Sequence, residues 1–233
     1  MKKNIEILSS SSLFSGIQRE DIHSMLDCLG ARERVFVKEE FLYHVGDIPA
    51  EVGVVLRGRV QVIREDFLGN RNILAEMGEG DLFAEAYACA GNRPMNVSVY
   101  AASGGEALML DCRRIVTTCP TSCAFHARLI QNLLSVVARK NIQLSGKMEH
   151  LSRRTTREKL LSYLSERSEQ AGSLTFEIPF NRQELSDFLC VERSAMSAEL
   201  SRMKRDGLLS YQKNRFTLHM PGEDLGRERR DGH

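Results

Sequence analysis

The sequence predicts an α+β fold: an N-terminal double-stranded β-helix (a jelly-roll-like β-roll), then a long helix, then a C-terminal winged helix-turn-helix. Three observations predict it. Short β-type runs separated by turn residues fill positions 33 to 111, an uninterrupted helical pattern covers 122–149, and two short helices with a tight turn precede a hairpin near the C-terminus. Many short strands with regular turns favour a small barrel or roll. We therefore expect domains at 1–120, 121–150 and 151–219, followed by a charged, disordered tail at 220–233.

The composition is that of an ordinary globular protein. The 233 residues are 42% hydrophobic and 27% charged, with a formal net charge of +1. No apolar run has the length of a membrane span, and no apolar segment follows the basic start, so we expect a cytoplasmic chain without a signal peptide or a membrane partner. In a reducing cytoplasm, the six scattered cysteines are expected to be free thiols, metal ligands or redox sensors rather than a disulfide framework.

The first 111 residues combine short helices with the strands of the roll. Apolar residues within 4–30 recur at near-helical spacing, and Gly30 can end that stretch. The Gly69-Asn70 pair predicts a hairpin turn after the run that starts at Val60. The β-type runs are Val35–Val37, Val52–Leu56, Val60–Ile63, Val97–Val99 and Leu108–Leu110.

A single long helix is expected after the roll. About 25 residues at 1.5 Å each would span about 38 Å, which is longer than a typical globular helix. A long helix with one apolar stripe needs a partner, and a second copy of the chain is the simplest one, so we favour dimerisation over packing on its own domain alone. The stripe comprises Phe125, Leu129, Ile130, Leu133, Leu134, Val137, Ile142, Leu144 and Met148.

The C-terminal third carries helix start and stop signals in a fixed order. Thr155 or Thr156 can cap one helix, and Asn181 with Glu184 three residues later forms a capping-box pattern at the start of the next. Cys190-Val191-Glu192 is predicted to be a turn. The following helix should bury Met196, Leu200 and Met203, stop at Gly207, and lead into a wing hairpin at Tyr211–Leu218.

This ordered set predicts DNA binding. Residues at the start of a second helix can reach base edges in the major groove, where an arginine grips guanine with two hydrogen bonds. The alternative is an ordinary helical turn with a solvated arginine. The segment from Arg153 to Arg215 holds twelve Lys/Arg against nine Asp/Glu, which is compatible with phosphate contacts. Candidate base contacts are Arg193, Ser194 and Ser197, and candidate backbone contacts are Arg182, Gln183, Arg202, Lys204 and Lys213.

Nearly the whole chain resembles the cyclic-AMP receptor protein/FNR (Crp/Fnr) family of regulators. The resemblance is carried by the helix-turn-helix residues and by turns of the roll: Arg182–Leu185, Arg193-Ser194, Leu200 through Gly207–Leu209, Gly46-Asp47, Leu56–Val60 and Gly80–Phe83. It implies a homodimer on an inverted-repeat DNA operator, with half-sites about one helical turn apart. It also implies an effector, small-molecule or redox, that changes the packing of the long helices, and RNA polymerase as a partner if the protein activates transcription.

The nucleotide-binding motif of the family is altered. Cyclic-nucleotide members carry a Gly-Glu pair and an Arg-Ser pair that hold the ribose and the phosphate, whereas this chain has Ala84-Glu85 and Met95-Asn96, with Arg93 two residues early. The candidate effector pocket is Glu85, Arg93 and Asn96, and the effector is predicted not to be cyclic AMP. Arg193 matches the guanine-contacting arginine of the family, but Ser194 and Ala198 depart from it, so the operator should differ.

A cysteine–histidine group suggests a different kind of effector. The N-terminal cysteine group that holds an iron–sulfur cluster in FNR-type members is absent, but Cys112 precedes Cys119, Cys123 and His126, and the last three fall at i, i+4 and i+7 of a helix. They can hold a metal, bind haem or sense redox state, or they can simply pack in the core or dimer interface, which we favour. No cofactor is assigned. Cys89 and Cys190 are interpreted as small buried residues.

The sequence leaves two other classes of function to compare with a DNA-binding regulator. Rolls of this type also occur in cupin-like metal enzymes, but the roll contains only His44 and no paired ligand motif, and no Ser-His-Asp set or phosphate loop occurs elsewhere, so no enzyme is expected. A small-molecule binding protein without DNA binding is the remaining rival, and the arginine-bearing second helix argues against it.

Overall fold

The computed structural model describes residues 4–117 and 124–219. Contacts divide the chain into two compact units with their boundary between Leu144 and Ser145, and each unit is described by itself. The tail at 220–233, expected to be disordered, lies outside the described residues. The bounds 1–120, 121–150 and 151–219 remain a prediction.

The first unit contains two four-stranded antiparallel sheets. Their strand orders are β1-β8-β3-β6 and β2-β7-β4-β5. Two antiparallel sheets built from non-consecutive strands form the predicted double-stranded roll, so the expected α+β fold class is confirmed. The strands are β1 (Arg32–Phe36), β2 (Phe41–Tyr43), β3 (Glu51–Arg57), β4 (Val60–Glu65), β5 (Arg71–Met77), β6 (Leu82–Phe83), β7 (Ser98–Ala101) and β8 (Gly105–Asp111).

Helices cover one side of this roll. They are α1 (Ile5–Ser10), a 3-10 turn (Ser12–Phe14), α2 (Arg19–Cys28), α3 (Glu85–Ala90), α4 (Cys112–Val116) and the first part of α5 (Ala124–Ser152). One buried cluster joins the N-terminal helices and α5 to strands β3 and β8, and a second cluster fills the roll around Phe36, Phe83 and Met109. At Gly53, a Cβ would lie 2.0 Å from the ring of Phe83, so only glycine fits at this point of β3.

The predicted long helix is present, and its apolar side chains lie in two different environments. Leu129, Leu133 and Val136 are buried in the cluster of the first unit. Other apolar side chains of the same helix are exposed: Leu134, Ile142, Leu144 and Met148. The predicted apolar stripe therefore divides into a part that packs on its own unit and a part that no described residue covers.

The described part of the second unit contains the end of α5, the helices α6, α7 and α8, and a small antiparallel sheet of order β10-β11-β9. Its core includes Leu160, Leu185, Met196, Leu200 and Phe216, each fully buried. The second unit begins with the end of α5. Its further elements are α6 (Thr156–Ala171), β9 (Thr175–Glu177), α7 (Arg182–Leu189), α8 (Arg193–Arg205), β10 (Leu209–Gln212) and β11 (Arg215–Leu218). The predicted helix-turn-helix and wing are confirmed at the predicted positions.

Candidate functional site

The predicted caps position the two helices of the helix-turn-helix. Asn181 Oδ1 accepts from the amide of Glu184 at 3.0 Å, and the Glu184 carboxylate accepts from the amide of Asn181 at 2.8 Å. This reciprocal box fixes the start of α7. The helix ends at Cys190, whose φ of 50° is left-handed, and the chain turns there towards α8.

A glutamate caps the second helix. The Glu192 carboxylate accepts from the amides of Ser194 at 2.9 Å and Ala195 at 2.7 Å, and also from the Ser194 hydroxyl. These hydrogen bonds, that of the Ser194 side chain above all, hold the pKa of Glu192 below its usual range. The carboxylate therefore stays charged and satisfies two amides at the positive end of the α8 dipole.

The candidate base-contacting residues lie on the first two turns of α8. Arg193 is exposed, and none of the described residues makes a hydrogen bond or ion pair with its side chain. Ser197 donates its hydroxyl to the carbonyl of Arg193 at 2.9 Å, while Ser194 is engaged by Glu192. In the free protein Arg193 is thus the available cation, and both serines would have to exchange a hydrogen bond to contact a base.

Two of the candidate backbone contacts pack on the wing. The guanidinium of Arg182 lies 4.7 Å from the centroid of the Tyr211 ring and 5.1 Å from that of the Phe216 ring. Lys204 Nζ lies 5.5 Å from the centroid of the same Tyr211 ring. Burial lowers the pKa of Arg182 from its ordinary value. These cation–π contacts tie α7 and α8 to β10 and so hold the wing in place.

The three remaining candidates for contact with the DNA backbone are exposed, and they differ in whether their side chains have partners within the protein. Gln183 donates to Asp187 at 2.8 Å, and Arg202 pairs with Glu199 at 3.1 Å. Lys213 stands at the exposed tip of the wing with a φ of 53°. Lys213 at the tip of the wing, like Arg193 at the start of α8, is therefore a cation that faces solvent.

In the first unit, the candidate effector residues have separate environments. Glu85 is 5% exposed at the start of α3, and its Oε1 lies 2.9 Å from Lys140 Nζ of α5. Its Oε2 is buried, with no hydrogen-bond partner among the described residues. Asn96 is exposed and accepts from the Tyr87 hydroxyl, whereas Arg93 is exposed with no described partner. A cation of the chain itself thus neutralises Glu85.

Met95 has a packing role. It is 2% exposed and belongs to the cluster inside the roll. The resemblance matches Met95 to the phosphate-binding arginine of nucleotide-binding members, and the side chain at this position is apolar and buried.

The cysteine–histidine group is only partly described. Cys119 and Cys123 lie outside the described residues. His126 is buried, and its Nε2 lies 2.8 Å from the carbonyl oxygen of Arg114. A carbonyl oxygen can only accept, so Nε2 of His126 is the donor in this hydrogen bond. Within the described residues, no group of three or more His, Cys, Asp or Glu side chains is arranged to hold a metal ion.

The interpretation of Cys89 and Cys190 as buried residues is wrong, since both are exposed. Cys89 lies on the last turn of the short helix α3, where the chain turns outward, and Cys190 lies in the left-handed turn after α7. The sulfur of Cys89 lies 3.4 Å from that of buried Cys112, a contact between α3 and α4 that the sequence did not indicate.

Comparisons with known proteins agree with this architecture. Residues 33–119 match the cyclic nucleotide-binding domain family, and residues 158–223 match the Crp-like helix-turn-helix domain family. The transcriptional activator protein FnrL of Cereibacter sphaeroides is 31% identical over 77 residues, which is 29% of this chain and 31% of that relative. The chain thus aligns with less than a third of the length of this curated relative.

Solved structures share the fold over most of the chain. FixK2 from Bradyrhizobium japonicum aligns with a TM-score of 0.63 and 20% identity, covering 82% of this chain and 93% of FixK2. The c-di-GMP-responsive global regulator CLP of Xanthomonas campestris aligns with a TM-score of 0.69 and 17% identity, covering 88% of this chain and all of CLP. The chain belongs to the Crp/Fnr family of transcription regulators, which is not a family of enzymes. Among the described helices, none has the length and apolar character needed to cross a membrane.

Two residues and one contact of these sites were not predicted from the sequence, for physical reasons. Glu192 was read as part of the turn because serine, threonine, aspartate and asparagine are the common N-caps. Lys140 is 55 positions from Glu85, and its side chain follows no apolar periodicity. The contact of Cys89 with Cys112 joins two short helices across strands β7 and β8, so nothing local indicates it.

Proposed function

We propose that this protein is a cytoplasmic, homodimeric, sequence-specific DNA-binding regulator of transcription, controlled through its β-roll by an effector other than cyclic AMP. The observation that carries the proposal is the state of Arg193: an exposed arginine without a described partner, at the start of a helix whose N-terminus is fixed by Glu192. An exposed arginine at a fixed helix start is suited to a bidentate contact with guanine in the major groove.

Phosphate contacts would come from the same face and from the wing. Lys213 at the wing tip is exposed, and Gln183, Arg202 and Lys204 are exposed on α7 and α8. Arg182 would act mainly by holding Tyr211 and Phe216, since its guanidinium is packed on their rings. Phosphate contacts fix register and orientation, whereas Arg193, assisted by Ser194 and Ser197, would select the sequence.

Homodimerisation would use the exposed apolar side chains of α5. Leu134 and Ile142 are 69% and 72% exposed on a helix of 29 residues, and Leu144 and Met148 are also exposed. A long helix with unburied leucine, isoleucine and methionine side chains gains most by packing on an identical helix, with the apolar area removed from both. A two-fold dimer would present two α8 helices to an inverted repeat.

The operator experiment tests this proposal directly. Random duplexes enriched for binding to the full-length protein should converge on an inverted repeat whose half-site centres are about 10–10.5 base pairs apart or a multiple of that spacing. Enrichment of no sequence, with affinity that falls with salt alike for all duplexes, would contradict sequence-specific recognition. No DNA binding at all would favour the ligand-binding protein. Once an operator is known, transcription with purified RNA polymerase distinguishes activation from repression.

The effector should not be a cyclic nucleotide. Lys140 occupies one carboxylate oxygen of Glu85, and buried Met95 supplies no charge for a phosphate. Isothermal titration of the full-length protein with cyclic AMP is therefore expected to give no binding heat. A saturable isotherm with micromolar affinity would contradict this part of the proposal.

A second candidate is a redox, haem or metal sensor of the same family. The observation that favours it is the environment of His126, since metal-binding histidines typically donate their other ring N–H to a carbonyl or carboxylate. Cys119 and Cys123 would supply the thiolates. Protein purified without oxygen should then show a visible band or stoichiometric iron or zinc, lost in Cys119→Ala, Cys123→Ala or His126→Ala. A colourless, metal-free protein would leave His126 as a packing residue.

A further inference from the structure

The cysteine pair Cys89–Cys112 belongs neither to the proposed DNA contacts nor to the candidate effector residues Glu85, Arg93 and Asn96. Cys89 is on the last turn of α3, and Cys112 is the first residue of α4. Their sulfur atoms are 3.4 Å apart, within contact distance. Both residues belong to the first compact unit, so their contact does not depend on the position of the second.

One thiol of the pair is exposed and the other is buried, so an oxidant in solution meets only the first directly. Cys89 is exposed and can meet a solute oxidant, whereas Cys112 is 3% exposed and is reached only by Cys89 among the described cysteines. A hydrogen bond from the Cys112 thiol lowers the pKa of Cys89, and the same contact together with burial raises the pKa of Cys112. Exposure and the direction of these pKa shifts both make Cys89 the thiol that ionises and reacts first, with Cys112 as its partner.

We propose that Cys89 and Cys112 form a modification site: a dithiol that a peroxide oxidises to a disulfide between α3 and α4. The first step is attack of the Cys89 thiolate on an oxygen of the peroxide. The S–O bond forms, the O–O bond breaks, and the leaving hydroxide or alkoxide takes up the proton that the Cys89 thiol released on ionising, leaving Cys89 as a sulfenic acid.

The second step resolves the sulfenic acid. The sulfur of Cys112 attacks Sγ of Cys89, the S–S bond forms and the S–O bond breaks, and the departing hydroxide takes the Cys112 proton and leaves as water. With hydrogen peroxide, two thiols and one peroxide give one disulfide and two waters, and the two sulfurs together lose two electrons. Bond formation at about 2.05 Å requires the sulfurs to approach by little more than 1 Å.

The location of the pair gives the disulfide a route to the long helix. Helix α3 begins with Glu85, which is paired with Lys140 of α5. A disulfide at the other end of this six-residue helix fixes it to α4 and so constrains the position of Glu85. The oxidation chemistry stands by itself, whereas any effect of the disulfide on DNA affinity rests on the proposed function.

The site is tested on the full-length protein by peptide mapping. Reduced protein is treated with stoichiometric hydrogen peroxide, alkylated and digested, and the peptides are analysed by mass spectrometry. The expected product is a cross-link between the peptides of Cys89 and Cys112 that dithiothreitol reverses. Cys28→Ser and Cys190→Ser, which remove other exposed thiols, should leave its yield unchanged.

Variants of the pair separate the two steps. Cys89→Ser, at an exposed position, should abolish the cross-link and leave Cys112 unoxidised at the same dose. In Cys112→Ser, a sulfenic acid should accumulate on Cys89 and react with dimedone. Absence of the cross-link in the wild-type protein, or disulfides that join Cys89 to other cysteines in equal yield, overturns the proposal. Because the readout involves no DNA, failure of DNA binding would leave this result unchanged.

Discussion

The amine of Lys140 lies 2.9 Å from Oε1 of Glu85, and this ion pair joins the long helix α5 to the start of α3. The resemblance to cyclic-nucleotide members of the family implies a ribose-binding role for Glu85, but here its partner is a residue of the same chain. Any ligand or modification that moves α3 therefore acts on the helix that we propose as the dimer interface. Such a coupling requires only that the effector and the DNA prefer the same state of the dimer.

Removing Lys140 should destabilise the first unit. Glu85 is 5% exposed, so Lys140→Met leaves a buried carboxylate without its counter-charge, and we expect the free energy of unfolding to fall by about 3 kcal/mol. Adding Glu85→Gln should restore most of the loss. Chemical denaturation of the wild-type protein and of the two variants measures these free energies.

The matched control is an exposed ion pair in the same unit, Arg57 with Glu106 at 3.0 Å. Arg57→Met should change the free energy of unfolding by less than about 1 kcal/mol, because exposed pairs contribute little. If Lys140→Met costs no more than Arg57→Met, the ion pair does not stabilise the position of α3.

Lys147 should make the stability of the second unit depend on alkaline pH. Its amine is buried and lies 4.2 Å from the centroid of the Phe188 ring, and burial lowers its pKa from 10.5 to about 8. Between these two values the unfolded chain binds more protons than the folded chain, so the free energy of unfolding rises with pH. Below pH 8 both states carry the proton and the cost of burying the charge is fully present.

The comparison that isolates this effect is Lys147→Met, which removes the titrating group and keeps an unbranched side chain. The stability advantage of the variant should be largest near neutral pH and should shrink towards pH 10, by up to about 3 kcal/mol. Denaturation at a series of pH values measures it. Parallel pH profiles for the two proteins would show that Lys147 titrates normally.

Cys190→Gly should stabilise the second unit. Cys190 is exposed and adopts a φ of 50° and a ψ of 54°, a conformation that glycine takes without the steric cost of a Cβ. We expect a gain of about 1 kcal/mol in the free energy of unfolding. The same substitution at exposed Cys28, the last residue of α2, should instead lose up to about 1 kcal/mol, because glycine weakens a helix. A gain at both positions would refute the conformational explanation.

A charge on the exposed face of α5 should break the dimer. Ile142 is 72% exposed, so Ile142→Glu is expected to preserve the fold of the protomer but to bury a carboxylate in the interface, shifting the protein to a monomer. Val35→Glu on β1, at a site 70% exposed, is the matched control and should leave the dimer intact. Light scattering after size-exclusion chromatography gives both masses. A dimeric Ile142→Glu variant would place the interface elsewhere.

Local signals predicted the elements of this fold closely. The Asn181–Glu184 box, the left-handed stop at Gly207 and the alternating strands depend on residues within a few positions of each other, so the sequence displays them directly. The long helix was predicted from one apolar stripe, but the stripe mixes two burial environments. Leu133 packs on its own unit while neighbouring Leu134 is exposed, and periodicity alone does not separate them.

The candidate sites were harder to predict from the sequence than the fold, because their main contacts join residues that are far apart along the chain. Lys140 reaches Glu85 from another helix, and Cys89 reaches Cys112 across two strands. The exposure of Cys89 was also mispredicted, since cysteine is among the most frequently buried residue types, whereas Cys89 lies exposed near the end of a short helix. Arg193, by contrast, was predicted correctly to be exposed, because its position follows from the cap and the buried Met196 face.

The most direct test of DNA recognition is fluorescence anisotropy of Arg193→Ala on the enriched operator at fixed salt. Loss of one bidentate guanine contact should weaken binding by about 1–3 kcal/mol and relax the preference at that base pair. Arg19→Ala, an equal loss of charge at an exposed position on α2, should bind like the wild-type protein. If Arg193→Ala binds the operator as tightly as Arg19→Ala does, Arg193 does not read the DNA and the proposed recognition helix is wrong.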